Sequence, residues 1–297
     1  MRATTSILLA ASLCLGTACA SKAPVVENRG RLNGSLEMLS RRDLSGIDRT
    51  MNALLENTQS GIQENALQRF FASWFLVQAH TRAALLGAFR FEKTRTSRIA
   101  GVEAGAERSS NTGHLVAAVY HATQAREIYA AANRSEATRE GQALLPEALE
   151  EYGVETATVN LQIVLAATYY RLGFVNEVEK ALDHHPELLR PETCLPALRR
   201  YRIPVELSSW VALMVYDHLK TRDEETAYRF GIIAVEGSQR FGQALPADEV
   251  AKVEDWILNG ASVQFVCPKS QTPYIPGETK SPLSGIGHYD YVALERR

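Results

Sequence analysis

Along most of the chain, apolar residues recur three and four positions apart, and period-two alternation is nearly absent. Between Pro24 and Pro146 no proline interrupts this pattern, and Ala, Leu, Glu and Arg dominate, residues that favour helix. The spacing predicts a helix around Leu36–Arg42 and another from Asp43 or Ser45 to Asn57, striped by Met51, Leu54 and Leu55. A long helix is predicted from about Gln63 to Phe91. Leu67, Phe70, Phe71, Trp74, Phe75, Leu85 and Phe89 share one face of it, and Leu76, Val77 and Leu86 add a second apolar side. Such a helix belongs at the centre of a fold. A further helix covers His114–Ala132, with Leu115, Ala118, Val119, Ala122 and Tyr129 in stripe. Another opens near Pro146, pauses at Gly153 and resumes over Val159–Leu172, since proline suits a first helical turn. The fold class implied is all-α, built as stacked antiparallel helical hairpins.

The second half adds a repeat-like pattern. Leu165 and Ala166 are followed by Tyr169 and Gly173, then Asn176-Glu177-Val178, Ala181-Leu182 and Pro186. Leu165 and Tyr169 lie one turn apart on one face, Ala166 permits close approach of a partner helix, and Gly173 permits a tight turn. Pro186 ends the second helix. This pattern resembles a tetratricopeptide repeat, with Val178 where the family carries a small residue and a second helix about one turn short. Trp210, Leu213 and Tyr216 look like a second first-helix, followed by a Thr221-Arg222-Asp223 turn and by Ala227, Phe230, Ala234 and Val235. Tyr216 lies 47 residues after Tyr169, against a family period of 34. Arg190–Pro204 then reads as an inserted connector. The resemblance implies an α-solenoid with a concave groove for a peptide or helix.

A helix over Pro246–Asn259, with Val250, Val253, Trp256 and Ile257 apolar, reads as a terminal cap. Beyond Gly260 the pattern changes. Val263–Cys267 is strand-like, and four of the 11 prolines fall between Pro268 and Pro282. Residues 263–297 are therefore an extended tail, either packed along the helical body or a disordered interaction segment. Lys93–Gly113 also breaks the helical pattern, with a basic start and several glycines, and reads as a long solvated loop.

The start of the chain is an address. Arg2 precedes the apolar run Ile7–Leu15, and small residues follow. Two processing routes fit: cleavage after an A-x-A site formed by Ala18 and Ala20, or lipoprotein processing at Cys19. Leu15-Gly16-Thr17-Ala18-Cys19 resembles a bacterial lipobox, with Leu15 one position earlier than the family places it. The resemblance implies residues 1–18 as signal peptide and Cys19 as an acylated N-terminus. Residues 19–34 follow as a tether and 35–262 as the helical domain. Acylation at Cys19 would anchor the chain to a membrane. Ala20 after the cysteine resembles the outer-membrane sorting pattern of diderm bacteria, so the chain is expected there, facing the periplasm, with soluble periplasmic or secreted export as the second route. Cys194 and Cys267 would remain in the mature chain. In an oxidising compartment they either pair, closing a loop of roughly 70 residues worth about 4 kcal/mol, or stay separate buried thiols.

Charge narrows the picture further. The chain has 297 residues, with 32 Lys and Arg against 34 Asp and Glu, a net charge of −2, which argues against a nucleic-acid partner. No apolar stretch reaches the ~18–20 residues of a spanning helix. No catalytic constellation, metal-ligand spacing or cofactor motif stands out. His184-His185 sits near a helix end, where the dipole favours it. His114 and His121 share a face, with no carboxylate at ligand spacing. Arg199, Arg200 and Arg202 form a small basic patch that reads as a solvated face. Two functions remain. One is a membrane-anchored scaffold in the cell envelope that binds a protein or peptide. The other is a small-molecule-binding lipoprotein serving a transporter, with Phe70, Phe71, Trp74 and Phe75 lining an apolar pocket.

Overall fold

The computed structural model describes residues 23–57, 66–86, 110–132, 145–240, 244–263, 265–266 and 295–296. Among these, eleven α-helices follow one another: α1 (Ala23–Ser40), α2 (Leu44–Asn57), α3 (Ala66–Leu86), α4 (Ser110–Ala132), α5 (Glu147–Tyr152), α6 (Val154–Leu172), α7 (Val175–His184), α8 (Pro191–Arg200), α9 (Val205–Leu219), α10 (Glu224–Arg240) and α11 (Ala247–Asp255). A 3-10 turn, Pro186–Leu189, follows α7, and a π-helical turn, Trp256–Gly260, continues α11. The chain is thus all-α in character, with one antiparallel pair of two-residue strands, β1 (Phe265–Val266) and β2 (Glu295–Arg296). Cys19, the expected signal segment, residues 93–109 of the expected loop, Phe89, and Cys267 with most of the C-terminal tail lie outside the described residues.

The described residues fall into two compact units. Those of Met1–His80, Phe89–Ala104 and Ala117–Val154 form the first, and those of Thr81–Ala88, Gly105–Val116 and Glu155–Arg297 the second.

In the first unit, α1 corrects the expected tether, because the chain is helical from Ala23 rather than from Leu36. Asn28, Leu32, Ser35 and Leu39 are buried at spacings of four, three and four, one helical face. Two members of that stripe are polar, so a search for apolar periodicity passes over it. Asn28 donates to Gln68 Oε1 at 3.4 Å, and the Ser35 hydroxyl donates to the Arg31 carbonyl at 3.0 Å. Asp43 caps α2, its carboxylate accepting the Gly46 N–H at 2.9 Å. Leu44, Ile47, Met51 and Leu54 form the buried stripe of α2, which packs against α1. Helix α3 is buried on all sides through most of its length, as its two apolar faces predict.

In the second unit, α9 and α10 fold back on each other in close apposition. Glycines allow it. A Cβ on Gly237 would come within 2.7 Å of Ser209 Oγ of α9, and one on Gly231 within 3.4 Å of Tyr216 Cδ2 of α9. In the first repeat-like segment, Gly173 adopts φ +78° in the turn between α6 and α7, as expected of it. Helix α7 has ten residues and buries Val178 and Leu182, and Val178 stands where a small residue would admit a neighbour. The expected connector Arg190–Pro204 is also largely helical. Pro191 opens α8, Pro196 lies within it, and Pro191, Cys194, Ala197 and Leu198 turn inward.

Trp210 ties this unit together. Its indole N–H, on a residue 1% exposed, donates to the Ala244 carbonyl at 2.9 Å and to the Leu85 carbonyl at 3.2 Å. Leu85 belongs to the last turn of α3, whose carbonyls have no partner within the helix. Thr81 and Thr168, both buried, share a hydrogen bond of 3.1 Å between α3 and α6. Trp210→Phe keeps most of the ring volume and removes the donor from two buried carbonyls. It is expected to destabilise the full-length chain by about 2 kcal/mol, read from the midpoint of urea unfolding.

Candidate functional site

Two constellations stand out, one in each unit. In the second unit, α9, α11 and the π-turn enclose a cleft of about 550 Å³, lined by Leu213, Tyr216, Asp217, Lys220, Thr221, Glu249, Lys252, Val253 and Trp256. Leu213, singled out by the repeat-like pattern, lies in its wall. The π-turn shapes this cleft. The Ala261 N–H bonds the Trp256 carbonyl at 2.8 Å, one residue beyond α-helical spacing. Within that turn the Trp256 ring meets Tyr216 edge-on at 5.2 Å and Tyr228 at 6.3 Å.

Around these rings the charges alternate. Lys220 pairs with Asp217 at 2.7 Å and lies 5.6 Å from the centre of the Tyr216 ring. Lys252 pairs with Glu249 at 3.2 Å and Asp248 at 3.7 Å, and Arg171 reaches Glu249 at 3.9 Å. The Tyr170 hydroxyl donates to the Asp217 carboxylate. Burial, then Asp217, push the Tyr170 and Tyr216 phenols above their usual range, so both remain neutral hydrogen-bond donors. An aromatic floor with a rim of mixed charge offers apolar surface beside hydrogen-bonding groups.

The other repeat-like positions serve structure. Leu165 and Ala166 are buried, and Tyr169 packs against Phe174 at 6.0 Å. Ala181 is half-buried, and Pro186 is exposed. Phe174 is 50% and Val175 64% exposed beside a shallow hollow at the α6–α7 turn.

The expected pocket at Phe70, Phe71, Trp74 and Phe75 is closed by its own rings. Phe70 and Phe71 meet at 5.3 Å, Phe71 and Trp74 at 6.3 Å, and Trp74 and Phe75 at 5.1 Å. Tyr129 and Tyr152 pack against Phe70 and Trp74, and each of the four residues is at most 5% exposed. The rings fill the volume that a ligand would need. Cys194 carries a free thiol, buried, and burial and then Glu187 push its pKa up to about 12. Cys267, considered as its disulfide partner, lies outside the described residues. His184 donates to the Lys180 carbonyl at 2.6 Å. His185 is buried, with Nε2 2.9 Å from Gln162 and Nδ1 3.3 Å from Glu187.

The second constellation escaped the sequence reading. Asp48 of α2, His80 of α3 and His121 of α4 meet inside the first unit. The two imidazoles are 4% and 3% exposed and stack at 5.8 Å with planes 9° apart. His80 Nε2 lies 3.6 Å from Asp48 Oδ1, which accepts from Asn52 at 3.0 Å. His121 Nδ1–H donates to Gln124 Oε1 at 3.2 Å, because the Gln124 amide nitrogen itself donates to the Tyr120 hydroxyl at 3.0 Å. His121 Nε2 is left buried without a hydrogen-bond partner. Burial, then the His80 charge, lower the His121 pKa to about 4 against the weaker pull of Gln124 and Asp48. Burial alone would raise Asp48, but His80, His121 and Asn52 outweigh it and hold the carboxyl below its usual range. Among the described residues, no group of three His, Cys, Asp or Glu is placed to hold a metal ion, and no helix is long and apolar enough to cross a membrane.

No protein-family model, curated protein or solved structure matches the chain.

The histidine array generates a pH prediction. The unfolded chain protonates His121 near pH 6.5, whereas the folded chain resists until about pH 4. Stability is complete above 6.5 and falls as pH drops through that window, by about 3 kcal/mol from this residue. Asp48 adds a further loss at the acid end, since its folded-state pKa is also depressed. Urea unfolding between pH 7 and pH 4 should show this slope, and His121→Gln should flatten it. Parallel curves for parent and variant would refute the assignment.

Proposed function

We propose that the protein is a membrane-anchored, helical scaffold of the bacterial cell envelope, held through acylated Cys19, that binds a segment of a partner protein or peptide. The observation that carries this reading is the cleft at Tyr216 and Trp256. It combines concavity, apolar rings and a rim of opposite charges already paired with one another, which favours a polypeptide over a compact anion or cation. The paired hairpin α9–α10, with the tetratricopeptide-like pattern that contains Trp210 and Leu213, supports the same reading: stacked helices commonly present such surfaces. The lipobox-like Leu15–Cys19 sequence supports the location, on the outer membrane facing the periplasm. The small-molecule alternative loses its motivating feature, since the Phe70–Phe75 rings fill one another's space.

The test is site-specific photo-crosslinking in intact cells. A crosslinker at Lys252, on the exposed rim, should give one discrete adduct, and Trp256→Ala should reduce its yield at least tenfold. A crosslinker at exposed Glu192 should not give that adduct. Labelling with a fatty-acid analogue should mark the chain and vanish in Cys19→Ser. No adduct at Lys252, or one indifferent to Trp256, would defeat the cleft assignment.

A further inference from the structure

The cleft at Tyr216 and Trp256 has hydrogen-bond donors to spare and few side-chain acceptors left to offer. Its carboxylates are engaged. Asp217 holds Lys220 at 2.7 Å through Oδ1 and accepts the Tyr170 hydroxyl on Oδ2, and Glu249 holds Lys252 at 3.2 Å and Arg171 at 3.9 Å. The donors on the two rings are not engaged. Neither the Tyr216 hydroxyl nor the Trp256 indole N–H has a hydrogen-bond partner among the described residues, although both side chains line the cleft. Comparable groups nearby are used: the Tyr170 hydroxyl donates to Asp217, and the Trp210 N–H donates to two carbonyls. Tyr216 is only 4% exposed. A phenol that deeply buried normally finds an acceptor, so its hydroxyl is a donor left for something outside the chain.

The Trp256 ring is also fixed where it stands. It meets Tyr216 at 5.2 Å and Tyr228 at 6.3 Å, and it lies close against Gly260, where a Cβ would come within 2.8 Å of its Cδ1. A preset ring beside two preset donors lowers the ordering cost of binding. The donors then select among polypeptides. An ordinary extended peptide brings an N–H with every carbonyl, and a buried N–H left without an acceptor costs more than its carbonyl gains. A partner helix has its main-chain carbonyls bonded internally and offers the two donors nothing from its backbone. Proline presents a carbonyl and no N–H, and in the polyproline II conformation that carbonyl has no partner within the segment. Aromatic-lined grooves are the surfaces on which such segments dock.

We infer that the cleft takes a proline-bearing segment of a partner protein in the polyproline II conformation, with a pyrrolidine ring against Trp256 and backbone carbonyls accepting from the Trp256 indole and the Tyr216 phenol. This rests on the polypeptide-binding reading above and names the chemistry of the segment. The rim fits the same occupant. Its charges are paired with one another, and a proline run carries no charge that would have to displace them.

The test uses the full-length Cys19→Ser chain and a fluorescein-labelled decaproline peptide, read by fluorescence anisotropy against an alanine–glycine decamer carrying the same label. Decaproline should bind saturably and about tenfold tighter than the control, since the control brings an N–H with each carbonyl. One hydrogen bond of ordinary strength is worth roughly a fivefold factor, so Tyr216→Phe and Trp256→Phe should each weaken decaproline binding about fivefold. Tyr216→Phe separates binding from folding. It should melt with the parent, because the hydroxyl it removes has no partner among the described residues. Failure of decaproline to bind, equal affinity for the two peptides, or full affinity in both variants overturns the proposal. Replacing Pro268, Pro273, Pro276 and Pro282 by alanine in the full-length chain identifies the source of the segment. Unchanged decaproline affinity supports a separate partner, and tighter binding overturns it in favour of the chain's own prolines. The adduct at Lys252 in cells judges the polypeptide reading independently: an adduct that forms while decaproline fails to bind leaves that reading standing and removes this one.

Discussion

Within the second unit, one N–H group carries more of the architecture than its energy suggests. A helix end must place its last carbonyls somewhere, and a loop turning inward must do the same. The Trp210 indole meets both demands, accepting no bond itself and donating to the end of α3 and to Ala244 at once. The ring then supplies the surface against which the Arg171 guanidinium lies, 5.7 Å from its centre, and Arg171 in turn reaches Glu249 at the cleft. A packing residue, a helix terminus and a cleft rim are therefore linked through one side chain. Ser238 works similarly on a smaller scale, its hydroxyl accepting the Leu245 N–H at 2.9 Å inside the same unit.

The first unit obeys a different constraint. It buries partnered polar groups in its helical faces: Asn28 and Ser35 on α1, Gln68 and His80 on α3, and His121 on α4. A buried polar group is tolerated when it is partnered, and its position is then dictated by that partner more tightly than an apolar side chain's would be. Asp48 provides one negative charge for two stacked imidazoles. Burial, then His80, favour the neutral form of His121 while Asp48 pulls weakly the other way, and the three helices α2, α3 and α4 share that electrostatic balance.

The contrast explains what could be read from the sequence. Apolar spacing predicted α2, most of α3, α4, α6, α9 and α10, and proline and glycine positions marked the starts of α5 and α11 and the turns at Gly153 and Gly173. These signals are local and survive tertiary packing. Helix α1 was misread because half of its buried stripe is polar. Helix α8 was misread because Pro191 and Pro196 suggest a connector, although the first sits where a helix accepts it. Leu213 was drawn from the repeat-like pattern, but the cleft also needs Asp217, Lys220, Glu249 and Trp256, brought together by a π-turn that has no evident sequence signature. Asp48, His80 and His121 are 32 and 41 residues apart in sequence, on three helices, so no motif search joins them.

The three tryptophans also make the molecule an optical instrument for its own parts. Trp74 lies among aromatic rings in the first unit, Trp210 is sealed in the second with its N–H fully engaged, and half-buried Trp256 faces the cleft. An indole's emission colour follows the polarity and mobility of its surroundings. The three rings therefore occupy three distinct spectral environments, and chains retaining one tryptophan each would let the melting of either core, or the filling of the cleft, be watched as a separate change of hue.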